Sequence, residues 1–353
     1  MLLAIATLGL LAACGGGGGG GGTTTPPQDV ALDTPEEVAR AVALSTPGLY
    51  LRYMAAATPR TGSILPKQAQ RVVRKAAVTT DCEQGGSYTR DDPRTLDVDS
   101  PYSDELFTGA DRHYHDCRRN FGSNDIVTSN GDIFTACQQS TTTDGSSCSY
   151  VQEDNGEAHL AMYRTRGSPG TPHVYTYTNA DSGAFIKEVQ TLTDIAHDYN
   201  AFDADGVSGR TRYLTRGYLH TLTRVRLANG SDASVEMISG EAEAPYDQEF
   251  VGEEDGAMRF TFTGIESVDG DGCQLGEFSV QTVQPILLTY VPETGEVTDV
   301  SGGTIDVGQG GKTGRLKLNA DRSITVTDSR NHSTTYATPA AFAAALGDCA
   351  HFF

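Results

Sequence analysis

Residues 258–263 read Met-Arg-Phe-Thr-Phe-Thr, an alternation of apolar and polar side chains. Successive side chains of a β-strand point to opposite faces of the sheet, so the pattern predicts a strand with one buried and one solvated face. The chain around it has a similar character, because its 40 glycines and many threonines and serines favour short strands joined by turns. We therefore expect a mainly β protein.

Hairpin signals recur along the chain. Asn130-Gly131 separates two short apolar runs, and this dipeptide is preferred in type I′ turns. It recurs at Asn155-Gly156 and Asn229-Gly230, and a five-residue turn is expected between Leu318 and Ile324. Consecutive hairpins predict a large antiparallel meander sheet, open or curved.

Helix signals stand near the two ends of the chain. Thr34-Pro35-Glu36-Glu37 is a capping box with proline at the first helical position, and the helix should end near Ser45, before Pro47-Gly48. A second helical segment is expected over residues 49–57. Thr338 and Pro339 predict a short C-terminal helix over residues 338–346.

The first residues of the sequence predict an export signal. Residues 1–13 are apolar but too few to span a bilayer, and Leu11-Ala12-Ala13-Cys14 resembles the bacterial lipobox. The resemblance implies a lipoprotein signal peptide over residues 1–14 and a lipid on Cys14. Gly15 follows where an aspartate would favour the inner membrane, so the outer membrane is the expected location in the cell envelope.

The remaining chain divides by composition. Residues 15–29, rich in Gly, Thr and Pro, form a flexible tether that would hold the domain on the order of 20 Å from the membrane. Residues 30–80 are expected to be a helical and irregular lead-in, and residues 81–353 an antiparallel β domain with a C-terminal helix.

Six cysteines follow the predicted anchor, and an even number in an exported chain predicts disulfides because the periplasm is oxidising. Their spacing does not fix the pairing, although Cys137 with Cys148 is the favoured local pair. Zinc ligation is disfavoured because no C-x₂-C or H-x₃-H spacing occurs. The disulfide candidates are Cys82, Cys117, Cys137, Cys148, Cys273 and Cys349.

The formal net charge of −20 constrains the partners. Nucleic acid is not an expected partner of so acidic a protein, because phosphate binding depends mainly on Lys and Arg. Broad adhesion to anionic lipid is disfavoured for the same reason.

Several short segments share one order of turn and strand signals: Cys82-Glu83-Gln84-Gly85-Gly86-Ser87-Tyr88, Asp91-Asp92, Ser129-Asn130-Gly131, Phe278-Ser279-Val280, Pro285-Ile286-Leu287 and the turn at 319–323. In these segments the chain resembles a family of uncharacterised gammaproteobacterial outer-membrane lipoproteins that are rich in β-structure. The resemblance implies the fold and location already expected, but no activity or catalytic residue, because turn and strand signals specify a fold better than a chemistry.

The densest group of metal-ligand types is Asp111, His113, His115 and Cys117, which alternate and should share one face of a strand. An exposed polar face is favoured over a metal centre, because one strand cannot complete the ligand set alone. Two acidic segments, Asp203-Ala204-Asp205-Gly206 and Asp269-Gly270-Asp271-Gly272, resemble parts of calcium loops, but acidic turns are favoured.

No G-x-S-x-G motif or cofactor signature occurs, so no catalytic residue, metal site or cofactor is predicted. Tyr175 and Tyr177 could stack on sugar rings, although half-buried strand positions explain them more simply. The favoured hypothesis is a non-enzymatic, lipid-anchored binding or structural protein whose partner is an envelope protein or a glycan. The alternatives are a carrier of an apolar ligand and a hydrolase with an unrecognised site.

Overall fold

The structure is a computed structural model that describes residues 32–48, 78–97, 106–121, 125–138, 151–152, 157–168, 170–203, 211–252, 257–291 and 296–352. The described residues form one large antiparallel sheet with two short α-helices, one near each terminus, so the predicted fold class is confirmed. The predicted signal peptide, the tether and the helical segment over 49–57 lie outside the described residues.

The first half of the sheet consists of β1 (Val78–Asp81), β2 (Ser87–Arg90), β3 (Arg94–Leu96), β4 (Phe107–Phe121), β5 (Asp125–Cys137), β6 (Val151–Gln152), β7 (Glu157–Arg166), β8 (His173–Asn179), β9 (Phe185–Asp203) and β10 (Thr211–Arg226). The second half consists of β11 (Asp232–Ser239), β12 (Tyr246–Gly252), β13 (Ala257–Gly270), β14 (Gly276–Gln284), β15 (Ile286–Val291), β16 (Glu296–Ser301), β17 (Gly303–Gln309), β18 (Lys312–Leu318), β19 (Ile324–Thr327) and β20 (Ser333–Tyr336). The helices are α1 (Pro35–Leu44) and α2 (Pro339–Ala344), and a 3₁₀ helix (Gly347–Phe352) follows α2.

Long strands organise the sheet because each one pairs with two shorter strands along a single edge. Strand β5 pairs with β8 and then with β7, and β10 pairs with β12 and then with β11. The predicted turns at Asn229-Gly230 and at 319–323 are confirmed, because the first connects β10 to β11 and the second connects β18 to β19. The predicted turn at Asn155-Gly156 lies outside the described residues.

The predicted turn at Asn130-Gly131 is wrong. Both residues lie inside β5, which remains paired with β4 on one edge while its partner on the other edge changes from β8 to β7. Gly131 has φ of 90°, and a Cβ atom there would lie 2.2 Å from the carbonyl oxygen of Pro172. Glycine is therefore required here because a larger residue would collide with Pro172, and not because the chain turns.

The main core lies on one face of the second half of the sheet. Buried and exposed residues alternate along β13, where Met258, Phe260 and Phe262 are buried as the sequence predicts. Helix α1 begins with the predicted capping box and ends at Leu44, and it packs against β17, β18 and β19. Its Val38 lies over Gly314, where a Cβ atom would be 2.2 Å from a Val38 methyl group.

The end of α1 is fixed to the sheet by a buried carboxylate. Glu266 on β13 is 2% exposed and accepts hydrogen bonds from the backbone and hydroxyl of Thr46 and from the hydroxyl of Ser239. A buried carboxylate without such donors would be strongly destabilising, so these bonds are needed for the packing of α1.

Two disulfides fix short elements to the sheet. Cys82–Cys117 joins the turn after β1 to β4, and Cys273–Cys349 joins the turn after β13 to the 3₁₀ helix. Cys137 is also disulfide-bonded, and its predicted partner, Cys148, lies outside the described residues. Helix α2 starts after the predicted cap Thr338, and the Cys273–Cys349 bond holds the segment that follows it against the sheet.

Candidate binding surface

The strand register assigns each side chain to a face of the sheet, because directly opposed residues of paired strands point to the same side. Tyr88 is opposite Tyr114, Tyr114 is opposite Gly131, and Ser129 is opposite Tyr175. We call this side of β2, β4, β5, β7, β8 and β9 the tyrosine face. Its aromatic residues are Tyr88, Tyr114, Phe121, His173, Tyr175 and Tyr177.

The rings of the tyrosine face form two adjoining groups. Ring centroids are 5.4 Å apart for Tyr88 and Tyr114, 5.6 Å for Tyr114 and His173, and 4.4 Å for His173 and Tyr175. Tyr114 reaches His173 across Gly131, which has no side chain to separate them. In the second group, Tyr177 makes an edge contact with Phe121 at 5.3 Å. The rings therefore hold one another in place.

His173 is the buried centre of this cluster. It is 0% exposed, and neither ring nitrogen has a hydrogen-bond partner among the described residues. Burial, together with the positive charge of Arg166, lowers the pKa of His173 to about 4. The imidazole is therefore neutral at pH 7 and acts as a packed aromatic ring.

Cations lie among the rings. The guanidinium of Arg119 is 6.0 Å from the ring centroid of Tyr88 and 5.7 Å from that of Tyr114, and the ammonium of Lys187 is 4.6 Å from that of Tyr177. These distances allow cation–π attraction. Arg166 forms an ion pair with Asp194, whose side chain is 2% exposed, and Asp194 and Tyr175 raise the pKa of Arg166 against the opposing effect of burial.

The tyrosine face carries more positive than negative side chains, although the protein as a whole is acidic. Among its described side chains, six cations stand against two carboxylates, Asp125 and Asp194, whereas the whole chain carries −20. The cations are Arg90, Arg112, Arg119, Arg164, Arg166 and Lys187.

The predicted alignment of Asp111, His113, His115 and Cys117 on one face is wrong in one member. A bulge between Tyr114 and Cys117 places two residues opposite Asn130, which reverses the alternation beyond it. Cys117 therefore falls on the tyrosine face, where it is buried in its disulfide with Cys82. The other three remain on the opposite face.

The remaining members of that set are engaged in ion pairs or exposed. His113 binds Asp132 through Nδ1 at 2.7 Å and Asp91 through Nε2 at 3.1 Å, while Asp111 binds Arg94 at 3.0 Å. His115 is exposed. The described part of the chain contains no group of three or more His, Cys, Asp or Glu side chains placed to hold a metal ion.

Of the two calcium-like segments, Asp271 accepts hydrogen bonds from the backbone and hydroxyl of Ser234, as an acidic turn would. The segment after residue 203 lies outside the described residues.

No helix in the described ranges is both long and apolar enough to cross a membrane.

The double variant His113→Gln, His115→Gln is expected to change the free energy of unfolding by less than about 1 kcal/mol, because these ion pairs are partly solvated. Hydrogen bonds that His113 donates to Asp132 and Asp91 raise the pKa of its imidazole, so its contribution to stability is present at pH 6 and is lost as the pH rises through that raised pKa. Thermal unfolding with and without a chelator checks this. A chelator that lowers the melting temperature of the parent, but not of the variant, would instead establish a metal site.

The sequence identified Tyr175 and Tyr177, and the structure places both, half buried, on the tyrosine face. It did not identify His173, Arg166, Arg119 or Asp194 as neighbours.

Comparison with protein-family models, curated proteins and solved structures finds no match.

Proposed function

We propose that this protein is a non-enzymatic binding protein of the cell envelope, tethered by a lipid on Cys14, and that the tyrosine face is its binding surface. The observation that supports this proposal most strongly is the excess of six cations over two carboxylates among the described side chains of this face, where the rings are already ordered, in a protein with net charge −20. Rings and cations ordered before binding lose little entropy when a ligand arrives.

The chemistry of the cluster favours binding over catalysis. His173 is neutral at pH 7, and its ring nitrogens are shielded from solvent, so they do not exchange protons with a ligand on the surface. Arg166 is neutralised by a buried carboxylate and holds the sheet together. No feature of the described residues favours the carrier or hydrolase alternatives.

On the opposite face, β10 carries four arginines that are balanced by four carboxylates of neighbouring strands. Its arginines form ion pairs across neighbouring strands, so positive and negative groups are matched within the sheet. Such exposed pairs stabilise the fold only weakly and leave little net charge for a partner. The pairs are Arg212–Glu249, Arg216–Asp247, Arg224–Glu188 and Arg226–Asp232.

We expect Cys14→Ser to release the protein from membranes, because the thiol is the acceptor for the proposed lipid. Cell fractionation followed by a high-salt wash measures this. Sedimentation of the variant with washed membranes, in the amount seen for the parent, would contradict the anchor.

The binding role is tested with two neighbouring arginines on opposite faces. In the full chain carrying Cys14→Ser, we expect saturable, salt-sensitive binding to isolated cell envelopes. Arg119→Glu should weaken it about tenfold or more, because it reverses a charge on the tyrosine face. Arg118→Glu is the matched control: it makes the same charge change one residue away, at an exposed position on the other face.

Two results would overturn this role. Envelopes that show no saturable binding of the unlipidated protein would remove the binding function. Equal losses in Arg119→Glu and Arg118→Glu would show that net charge, and not the tyrosine face, determines binding.

A further inference from the structure

We infer that the ligand of the tyrosine face is an acidic polysaccharide whose sugars carry carboxylates. This inference rests on the proposed binding function and names its ligand class. Three properties of the face support it: its charge, the order of its rings and its length.

The charge of the face selects an anion. Among the described side chains of the face, the excess of six cations over two carboxylates gives a local positive potential that attracts anions to this side of an otherwise acidic molecule. Arg164 and Arg166 form ion pairs with Asp194, and the other arginines of the face are Arg90, Arg112 and Arg119. Their planar guanidinium groups match carboxylates by paired hydrogen bonds.

The rings select a ligand that contains flat apolar surfaces. Tyr88, Tyr114, Tyr175 and Tyr177 are half buried, and Phe121 is 48% exposed at the end of the face. Pyranose sugars present C–H faces that pack on aromatic rings, while their hydroxyl and carboxylate groups remain at the ring edge. A surface of rings with cations at their edges therefore suits charged sugars better than a peptide of acidic side chains.

The length of the face suits a chain of sugars. Neighbouring strands lie about 4.8 Å apart, which is close to the length of one hexopyranose unit. The ring-bearing strands β2, β4 and β8, the intervening β5 and the adjoining β9, which bears Lys187, together span about 20 Å, or roughly four sugar units. A bound polysaccharide running across the strands would place successive sugars over successive strands.

The test uses the full-length Cys14→Ser protein with polygalacturonate and with the same polymer fully methyl-esterified, which keeps the sugar rings and removes their charge. We expect binding to polygalacturonate that is weakened at least about tenfold by esterification. Arg119→Glu should cause a loss of similar size, and Arg118→Glu a much smaller one. Tyr177→Ala should also weaken binding, since it removes a ring that contacts Phe121 and Lys187.

Several results would contradict an acidic polysaccharide as the ligand. Equal binding of the esterified polymer would exclude carboxylate recognition, while displacement by polyglutamate or preference for vesicles of anionic lipid would assign the face to another partner. If polygalacturonate fails to bind but Arg119→Glu still selectively reduces binding to envelopes, the ligand class is wrong and the binding function stands. If both fail, the binding function is wrong as well.

Discussion

The double variant Cys273→Ala, Cys349→Ala is expected to lose about 4 kcal/mol of unfolding free energy, because the bond closes a loop of 76 residues. The loss should be large because the disulfide also fixes the C-terminal segment, whose Phe342 and Leu346 are fully buried in the main core. Denaturant unfolding of parent and variant measures it.

The matched control is the Cys82→Ala, Cys117→Ala variant, which opens a loop of 35 residues in the first half of the sheet. It should lose a comparable or slightly smaller amount, since closure entropy depends only weakly on length. A loss below about 1 kcal/mol for the Cys273, Cys349 variant would show that the C-terminal helices are held by packing alone.

Acid is expected to destabilise the protein through His173. Its pKa in the folded protein, about 4, lies below the 6.5 of an unfolded chain, so the unfolded state takes up a proton first. The stability contributed by neutral His173 is thus fully present above pH 6.5 and is lost as the pH falls towards 4. Because one pKa unit corresponds to about 1.4 kcal/mol, this loss is on the order of 3 kcal/mol.

This contribution is isolated by comparing the parent protein with the His173→Phe variant, which keeps an aromatic ring but removes the titrating group. Stability should be measured by denaturant unfolding at intervals from pH 7 to pH 4. The parent should lose on the order of 3 kcal/mol more than the variant over this range. Parallel curves for the two proteins would contradict a neutral, buried His173.

Local chemistry accounts for the parts of the fold that the sequence predicted. The capping box at Thr34, the cap at Thr338 and the alternation along β13 each act within a few residues, so they can be recognised without knowing any distant partner. The mainly antiparallel architecture followed from the same short-range signals.

The tyrosine face could not be predicted in this way. It depends on the register that places Tyr88 opposite Tyr114 and Tyr175 opposite Ser129, and register is set by long-range pairing. The error at Asn130-Gly131 has the same origin, because a glycine needed for close approach between strands looks like a turn glycine. The bulge beside it also moved Cys117 away from His113.

The most direct test of the binding surface is site-specific photo-crosslinking at positions 118 and 119 of the protein in intact cells. A photoreactive side chain at position 119 points from the tyrosine face, and one at position 118 from the opposite face of the same strand. We expect adducts with one class of envelope component at position 119 and only background labelling at position 118. Equal labelling at the two positions, or labelling at position 118 alone, would contradict the tyrosine face as the binding surface.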